Sequence, residues 1–366
     1  MTRVFKQITI IGLGLIGSSI ARAAHAQKLA GKIIGFDEDQ ISLFFALKEG
    51  FIDEMSSDLA MAAKDSDLVI IATPPASLGE VAEKIAGNLS ADAMLMDVTS
   101  VKLPAIAAIA PYLSENVIFI PAHPIAGSDK SGVRAGRADL FDKKRIIITP
   151  EAPPADEIMQ KINAFWGAMG ARVEGMPADI HDMLYGYMSH LPQLIAFCLK
   201  KPLGEFFEAG KDNTVYQSFL RLAGSNPELW AEIFSQNSEN VLKATDRYID
   251  VVSHLYNELK SAPEDADIEA KKAAEDPLLA STVLFPRIVA SCLVTTVMEA
   301  EKNAGFSFAK YAGTGFADIS APAIIAPDAD IEKISAQYRL VTNILGEFVL
   351  TLKLFRAALV SGATTQ

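Results

Sequence analysis

Two groups of residues in the first half of the chain have types and spacings that could do chemistry. The first is a glycine pattern, Gly12-Leu-Gly-Leu-Ile-Gly17, which follows a short apolar run. The second is His123-Pro-Ile-Ala-Gly-Ser-Asp-Lys130, which places one imidazole in a turn-rich segment. A neutral imidazole can accept a proton near pH 7, so His123 is a candidate general base. Whether His123 can act as a base depends on the helices and strands that position it.

The glycine pattern stands where a predicted strand, Ile8 to Ile11, passes into a predicted helix, Ser18 to Gln27. In that context its three glycines, Gly12, Gly14 and Gly17, permit a tight turn, close approach of the backbone to a pyrophosphate, and close packing of helix on strand, in that order. The helix N-terminus around Leu15 and Ile16 stabilises phosphate charge. The pattern therefore predicts a dinucleotide-binding turn.

A second predicted strand, Lys32 to Phe36, ends in Asp37, which lies 20 residues beyond Gly17. A carboxylate at this position can bind the adenosine ribose hydroxyls and repels a 2′-phosphate, so the predicted cofactor is NAD and not NADP. Asp37 could instead be a solvated turn acid, because Glu38 and Asp39 are also acidic. Their charge disfavours a 2′-phosphate in either case.

Strand and helix patterns continue to alternate along the first 150 residues. This alternation predicts an α/β, Rossmann-type doubly wound sheet, to which residues near 68–72, 93–96, 117–120 and 145–148 contribute further strands. Parallel strands place their following loops at one edge of the sheet. We therefore expect three loops to cluster around the cofactor: Thr73-Pro-Pro75, Asp97 to Lys102, and His123 to Gly132.

The composition changes past Pro150, where Pro153 and Pro154 predict a hinge and long helical patterns replace the short strands. We predict an all-helical domain over residues 151–260, with helices at 181–200, 227–243 and 246–260. The charged, alanine-rich segment 261–277 is bounded by prolines and predicts a linker or an exposed helix. Residues 278–366 predict a helical extension.

Composition narrows the class of partner. The chain has 366 residues, 50% of them apolar, which is enough for two domains. A net charge of -12 argues against a nucleic-acid surface and favours a small-molecule substrate. The two cysteines, Cys198 and Cys292, form no CxxC pair, so the sequence predicts neither a disulfide framework nor a zinc site.

The N-terminus resembles a signal peptide only superficially. Arg3 and Lys6 precede an apolar run, but the glycine pattern interrupts that run. Elsewhere no uninterrupted apolar stretch reaches the ~20 residues of a membrane span. We expect a cytoplasmic chain with no membrane partner.

Together these motifs resemble those of prephenate and arogenate dehydrogenases, over about residues 6 to 260. The motifs occur in the family's order: the glycine pattern, Asp97-Val-Thr-Ser-Val-Lys102, His123 to Gly132, Ser189-His-Leu-Pro192, and Arg221-Leu-Ala followed by Pro227-Glu-Leu-Trp230. The resemblance implies oxidative decarboxylation of prephenate to 4-hydroxyphenylpyruvate, or of arogenate to tyrosine, with a nicotinamide cofactor. That is a step in tyrosine biosynthesis.

The resemblance also implies roles for individual residues. His123 accepts the proton of the substrate hydroxyl, although a histidine that only fixes its loop is the alternative. Ser100 orients His123 and touches the nicotinamide, or it is simply the N-cap of the helix that follows.

The substrate carries two carboxylates, and the resemblance implies that Arg221 binds a carboxylate and that His190 is a second substrate-binding histidine. Arg221 could otherwise form a surface salt bridge, and His190 could be a satisfied core residue. Lys130 and Ser131 contribute to substrate or interdomain contacts, or they belong to an exposed loop.

Two departures from the family concern the substrate site. The family usually carries a glycine-rich stretch with an aspartate and a threonine before its arginine, whereas this chain has residues 214–220 there. Gln193 stands where many relatives have histidine. The sequence does not decide between prephenate and arogenate, although Asp129 could favour the ammonium group of arogenate.

The extension resembles the helical domain itself. At an offset of 94, Pro192, Ala196, Cys198 and Leu199 match Pro286, Ala290, Cys292 and Leu293, while Leu284 stands at the position of His190. At an offset of about 100, Gly313 to Ser320 resembles the missing glycine-aspartate stretch, and Ala321 falls at the position of Arg221. We expect a homodimer of the family type, with a pseudo-dimer inside one chain as the alternative.

Two other functions are compatible with parts of the sequence. One is another NAD-dependent dehydrogenase of the hydroxyacid type, for which His123 is awkward because such enzymes resemble a lysine-centred design. The other is a non-catalytic NAD-binding sensor, against which Ser100, His123, His190 and Arg221 all count.

Overall fold

In the computed structural model the chain divides into two compact units, Met1–Asp182 (unit 1) and Met183–Gln366 (unit 2). The structure describes residues 3–128, 130–203, 214–261, 276–324 and 337–362. The first unit combines strands and helices, and every regular element described in the second is helical.

Unit 1 is built on a sheet of six strands: β1 (Phe5–Ile11), β2 (Ala30–Phe36), β3 (Glu54–Met55), β4 (Leu68–Ile71), β5 (Met94–Asp97) and β6 (Ile118–Phe119). All are parallel, in the order β3-β2-β1-β4-β5-β6. The order reverses between β1 and β4, and the loops after these two strands diverge there to leave a ligand crevice. The predicted Rossmann-type fold is confirmed.

Helices cover both faces of this sheet. They are α1 (Leu15–Ala26), α2 (Gln40–Lys48), α3 (Leu59–Ala62), α4 (Leu78–Ala86), α5 (Lys102–Ile109) and α6 (Asp156–Ala168). The division between the two units falls within α7 (Ala178–Tyr185). Along β4, Leu68 and Ile70 join one hydrophobic cluster, whereas Val69 and Ile71 join another. Successive side chains of a strand point to opposite faces, so both faces are buried, which explains the nearly continuous apolar runs of these strands.

A second sheet of three strands carries His123. Its strands are β7 (Ala122–Pro124), β8 (Arg145–Ile148) and β9 (Arg172–Gly175). β7 pairs antiparallel with β8, and β8 pairs parallel with β9. The prediction that residues 145–148 complete the first sheet is wrong, because their hydrogen-bond partners are β7 and β9. His123 lies opposite Ile147 on a strand and not in a loop.

Residues 151–182 belong to unit 1. Pro153 and Pro154 precede α6, which buries Phe165 and Trp166 in the same hydrophobic cluster as Phe5. The structural division, after Asp182, therefore comes later than the predicted boundary near residue 150. The prolines mark the entry into a helix of the first unit.

Unit 2 consists of α8 (Leu191–Leu203), α9 (Thr214–Ala223), α10 (Pro227–Gln236), α11 (Ser238–Ser261), α12 (Pro277–Leu279), α13 (Phe285–Ala304), α14 (Thr314–Ser320) and α15 (Tyr338–Ser361). Five-residue π-helical segments, Gly186–His190 and Ala280–Leu284, precede α8 and α13. A helical domain follows the Rossmann-type unit, as predicted, but it begins at Met183, β9 lies within the range 151–260 that was predicted to be all helical, and the helices are divided differently. The π-helical segment interrupts the helix predicted at 181–200, and the one predicted at 227–243 breaks at Asn237.

One helical segment of the described residues, Pro277–Ala304, is long and apolar enough to cross a membrane by length and composition. In its most apolar window 61% is buried within the structure, which is the pattern of a core helix. Cys198 and Cys292 are buried and unpaired, and burial raises the pKa of both thiols, that of Cys292 to about 12. Most of the predicted linker, residues 262–275, lies outside the described residues.

Candidate active site

The glycine turn of unit 1 has the geometry of a phosphate cradle. Gly12 has a φ of +93°, and a Cβ there would lie 2.7 Å from the Ala72 carbonyl oxygen. A Cβ on Gly17 would lie 1.9 Å from the Gly12 carbonyl oxygen, whereas one on Gly14 would meet nothing within 4 Å. Close packing thus requires glycine at positions 12 and 17, whereas the backbone at Gly14 is not covered by other atoms.

The helix that follows this turn begins without a side-chain cap. Gly14 is the N-cap of α1, and no side chain accepts a hydrogen bond from the first turn there. The backbone N–H groups of Leu15 and Ile16 have no intrahelical acceptor, since the first turn of any helix lacks one. Together with the helix dipole, these donors favour a phosphate at this end.

Asp37 is fixed against the same turn. The Leu13 backbone N–H donates to Asp37 Oδ2 (2.6 Å), and the Asp39 N–H donates to Asp37 Oδ1 (2.8 Å). Asp39 itself caps α2, and its hydrogen bond from the Ser42 hydroxyl lowers the pKa of the Asp39 carboxyl. Asp37 is therefore half-buried and held against the glycine turn.

Thr73 adds a polar group at the end of β4. Its backbone nitrogen would lie 2.9 Å from a Cβ on Gly12, so it adjoins the glycine turn. Its hydroxyl oxygen is buried and has no hydrogen-bond partner in the part of the chain that the structure describes. A buried hydroxyl without a partner costs free energy, and a ligand in the crevice can supply the missing bond. These features fit a dinucleotide.

The loop between β5 and α5 contains a buried ion pair. Lys102 Nζ donates to Asp97 Oδ2 (2.5 Å) and to the Ala122 carbonyl oxygen (2.6 Å), and both charged side chains are fully buried. Burial lowers the pKa of Lys102, an effect that Asp97 opposes. Because Ala122 directly precedes His123, this lysine ties β7 to the end of β5.

Ser100 lies in this loop, half-buried, but it does not cap α5. The N-cap is Val101, and the Asp182 carboxylate takes the capping role, since Oδ1 accepts from the Lys102 N–H (2.8 Å) and Oδ2 from the Leu103 N–H (2.8 Å). The alternative in which Ser100 is a bare N-cap therefore has no support in the structure.

Asp182 also ends a chain of three side chains that begins at His123. His123 Nδ1 lies 2.9 Å from His181 Nε2, and His181 Nδ1 lies 2.8 Å from Asp182 Oδ1. His181 and Asp182 are buried, and His123 is half-buried. The carboxylate at the end of the chain is held by the N-terminus of α5, so the whole chain is fixed to the sheet.

The Asp182 carboxylate determines which nitrogen donates in each hydrogen bond between these three side chains. An ionised carboxylate can only accept, so the proton of neutral His181 lies on Nδ1 and its Nε2 accepts. His123 Nδ1 must then donate to His181 Nε2, which leaves the lone pair of neutral His123 on Nε2. The arrangement resembles the way a buried carboxylate sets the tautomer of a catalytic histidine in hydrolases.

In unit 2, His190 has different surroundings. It ends the first π-helical segment, is buried, and packs edge-on against the rings of Trp230 and Phe234. Asn237 Nδ2 lies 3.1 Å from His190 Nδ1, and Asn240 Nδ2 donates to Asn237 Oδ1 (2.8 Å). Since the Asn237 oxygen is an acceptor here, its nitrogen donates to His190 Nδ1, and the proton of neutral His190 lies on Nε2.

Arg221 lies in the last turn of α9. Its Nη2 donates to Asp318 in a pair that is partly exposed, with 49% of the arginine side chain accessible. An intramolecular salt bridge is therefore present. A guanidinium has five N–H donors, so this bond leaves others for a ligand.

Gln193 takes part in packing within unit 2. Its Nε2 donates to the Leu222 carbonyl oxygen (2.7 Å), next to Arg221 in the chain. The residue that replaces the family's histidine thus anchors α9 to α8.

Two predicted substrate residues lie in an exposed loop. The side chains of Lys130 and Ser131 are exposed, and the Lys130 backbone N–H donates to Ser128 Oγ (3.0 Å). The structure brings neither side chain to the histidine chain by any contact among the described residues. Asp129 lies outside the described residues.

Comparison with known proteins decides the family. Residues 20–175 match the prephenate dehydrogenase nucleotide-binding domain, and residues 177–270 match the prephenate dehydrogenase dimerization domain. The chain belongs to the prephenate dehydrogenase family. Its members are NAD-dependent oxidoreductases.

Relatives of the same kind cover most of the chain. The cyclohexadienyl dehydrogenase of Zymomonas mobilis is 31% identical over 283 residues, which are 76% of this chain and 96% of that protein. The prephenate dehydrogenase of Bacillus subtilis is 28% identical, over 73% of each chain. The Aquifex aeolicus prephenate dehydrogenase, solved with hydroxyphenyl propionate and NAD+, gives a TM-score of 0.64 at 30% identity, over 75% of this chain and 96% of that one.

For this prephenate dehydrogenase family member, sequence reasoning missed four partners of the predicted site residues: His181 and Asp182, which extend the hydrogen-bond chain of His123, Asn237, which contacts His190, and Asp318, which pairs with Arg221. His181 was treated only as the start of a helix. A signal was present, because His and Asp stand side by side in a chain with only five histidines. Nothing in the sequence, however, says that this pair reaches His123.

Proposed function

We propose that the protein catalyses the oxidative decarboxylation of prephenate to 4-hydroxyphenylpyruvate or of arogenate to tyrosine, with hydride transfer to NAD. The observation that carries the proposal is the chain from His123 through His181 to Asp182, in the same unit as the glycine turn. This hydrogen-bond chain leaves Nε2 of neutral His123 as a proton acceptor, in the unit that carries the nucleotide-binding turn.

The cofactor is NAD. The glycine turn, the N–H groups of Leu15 and Ile16, and Thr73 would hold its phosphates, and Asp37 would bind the ribose hydroxyls. When bound, NAD accepts the hydride from the ring carbon that bears the substrate hydroxyl. The charge of Asp37 supports NAD over NADP, because a 2′-phosphate would meet a carboxylate held in place by Leu13.

His123 accepts the hydroxyl proton at Nε2 as the hydride leaves and carbon dioxide departs from the ring, which becomes aromatic. The positive charge that develops on His123 is stabilised through His181 by the Asp182 carboxylate. General-base assistance of this kind contributes about 10²–10⁴-fold to a rate. Ser100 does not cap α5. Its hydroxyl, on the loop that Lys102 ties to β7, is proposed to orient His123 and to touch the nicotinamide.

We assign the binding of the substrate carboxylates to His190 and Arg221. His190 presents Nε2–H as a donor, because Asn237 occupies Nδ1. Arg221 presents a guanidinium, which binds carboxylates in a bidentate manner. Lys130 and Ser131 supply weaker contacts from their exposed loop.

The experiment mixes the purified full chain with prephenate or arogenate, each with NAD or NADP, and follows formation of the reduced cofactor. We expect turnover with NAD and at least one of the two substrates. Silence in all four mixtures, with NAD binding established by calorimetry, would favour the alternative of a non-catalytic NAD-binding sensor. Turnover of a small hydroxyacid that survives in His123→Asn would favour the hydroxyacid-type alternative.

A further inference from the structure

Unit 2 contains two segments with the same order of elements. Repeat 1 (residues 186–261) and repeat 2 (residues 280–361) each begin with a five-residue π-helical segment that leads directly into a long helix, α8 or α13. The two π-helical segments are offset by 94 residues. Each repeat ends in a helix of 24 residues, and these two helices, α11 and α15, are offset by 100 residues at both ends.

The final helices bury the same positions. Five positions are buried in both α11 and α15 at the offset of 100: Val241 and Val341, Thr245 and Leu345, Tyr248 and Phe348, Ile249 and Val349, Val252 and Leu352. Only the first of these pairs is an identical residue. Equal burial without sequence identity indicates an equivalent place in the fold.

Contacts between α11 and α15 are reciprocal. Asp246 of repeat 1 pairs with Arg356 of repeat 2, with Oδ2 3.0 Å from Nη2. The equivalent contact in the other direction joins positions 346 and 256, where a Cβ on Gly346 would lie 3.0 Å from the Tyr256 ring. Between them Tyr248 meets its own equivalent, Phe348, with ring centroids 6.3 Å apart. Such a pattern, in which i contacts j and j contacts i, is that of a twofold interface between antiparallel helices.

The repeats also exchange packing partners. α8 of repeat 1 packs against α15 of repeat 2, and α13 of repeat 2 packs against α11 of repeat 1. The Tyr248 hydroxyl, for example, donates to the Val289 carbonyl oxygen (3.2 Å). Neither repeat could bury its long helices alone, so the two form one intertwined core.

The polar residues of the repeats are complementary. Repeat 1 has Arg221 but Ser218 three residues before it, whereas repeat 2 has Asp318 and then Ala321 at the equivalent positions. The two remaining groups, Arg221 and Asp318, pair with each other across the repeats. Each repeat thus supplies the member of this ion pair that the other repeat lacks.

We infer that unit 2 is a pseudo-dimer of two fused copies of one helical segment, in which repeat 2 takes the place of a second subunit. Asp318 of repeat 2 is a positioning residue for Arg221 of repeat 1. The self-complementary face that a dimerization domain offers to another chain is occupied here by α15 of the same chain. Repeat 2 has Leu284 where repeat 1 has His190, so one substrate site per chain follows. The role of Arg221 toward the substrate rests on the proposed function, whereas the pseudo-dimer does not.

The pseudo-dimer is tested by the mass of the full chain in solution. Light scattering coupled to gel filtration, over a wide range of protein concentration, is expected to give one chain, 39.3 kDa. A stable mass of two chains at every concentration would indicate a homodimer of the family type and would overturn the inference. This result does not depend on which reaction the protein catalyses.

Asp318 is tested by substitution with a ligand-binding readout. With NAD present, Asp318→Asn is expected to weaken binding of hydroxyphenyl propionate by about 2- to 5-fold, the range for a partly exposed ion pair. Asp318→Glu should restore most of the affinity. Glu239→Gln, which removes the exposed partner of Lys243 in the same unit, is the matched control and should change nothing.

The same variants separate positioning from structural damage. If turnover is observed, Asp318→Asn should raise the KM for the ring substrate while kcat and the KM for NAD stay unchanged. Unchanged ligand affinity in Asp318→Asn would overturn the positioning role. Absence of turnover in the unsubstituted chain, with hydroxyphenyl propionate still bound, would count against the proposed function and leave both tests of the pseudo-dimer intact.

Discussion

His123 and His190 are the same residue type, but their surroundings give them opposite hydrogen-bonding ends. His123 Nδ1 faces the acceptor nitrogen of His181, whose other nitrogen is bound to the Asp182 carboxylate. His190 Nδ1 faces the amide nitrogen of Asn237, with two aromatic rings beside it. In the neutral state Nε2 of His123 is therefore an acceptor, whereas Nε2 of His190 is a donor.

The hydrogen-bond partner at Nδ1 therefore decides whether Nε2 of each histidine accepts or donates a hydrogen bond. A chain that ends in a carboxylate makes a base and stabilises the charge that follows protonation. A chain that ends in neutral amides makes a fixed donor, which suits the binding of a substrate carboxylate. The two residues should then respond differently to substitution.

The largest effect is expected for His123→Asn. Loss of the base should lower kcat by about 10²–10⁴-fold while NAD binding stays unchanged. Steady-state kinetics and calorimetric titration with NAD measure the two quantities. His25→Asn, at an exposed histidine of the same unit, is the control. Unchanged turnover in His123→Asn would show that His123 is not the general base.

Asp182→Asn should lower kcat by about 10- to 100-fold. The Lys102 and His181 N–H groups both donate to Asp182 Oδ1, whereas the Leu103 N–H donates to Oδ2. An amide with its oxygen at the Oδ1 position still accepts the first two bonds, but it loses the bond from Leu103 and the negative charge that stabilises protonated His123. Nitrogen NMR of the labelled rings should then find the His181 tautomer unchanged, and a kcat equal to that of the unsubstituted protein would mean that the Asp182 charge does not act on His123.

His190→Leu should raise the KM for the ring substrate by about 10- to 100-fold, the range for a lost hydrogen bond to a charged group. Leucine is chosen because Leu284 occupies the equivalent position of repeat 2, where it is fully buried before α13. The KM for NAD should not move. His254→Leu, at an exposed histidine of the same unit, is the control. A fall in kcat with constant KM would show that His190 acts in the reaction step and blur the contrast with His123.

Asn237→Ala should have the smallest effect, an increase of about 2- to 5-fold in the same KM, because it releases the orientation of His190 without removing it. Asn257→Ala, an exposed asparagine on α11, is the control. Nitrogen NMR should find that the Nε2 proton of His190 is no longer fixed. A tautomer that stays fixed after the substitution would assign the orientation to the aromatic rings instead.

The fold of unit 1 could be predicted because its determinants are local. The glycine turn, the first two strands and Asp37 all lie within residues 5–37, and the turn geometry requires glycine at Gly12 and Gly17. The residues that complete the histidine chain were not predicted, since His181 lies 58 residues from His123 in the sequence. Residues 145–148 were assigned to the wrong sheet because a buried strand has the same apolar pattern in either sheet.

Residue types at short, fixed spacings were enough to predict the class of fold, the nucleotide-binding turn and the family, and to propose Ser100, His123, His190 and Arg221 as site residues. Only the tertiary structure decided how those residues are connected. It gave the capping of α5 to Asp182 and not to Ser100, set the donor and acceptor ends of His123 and His190, and paired Arg221 with Asp318 from 97 residues away. Hydrogen bonds between distant segments depend on where the packed elements place each side chain, and no local pattern encodes that.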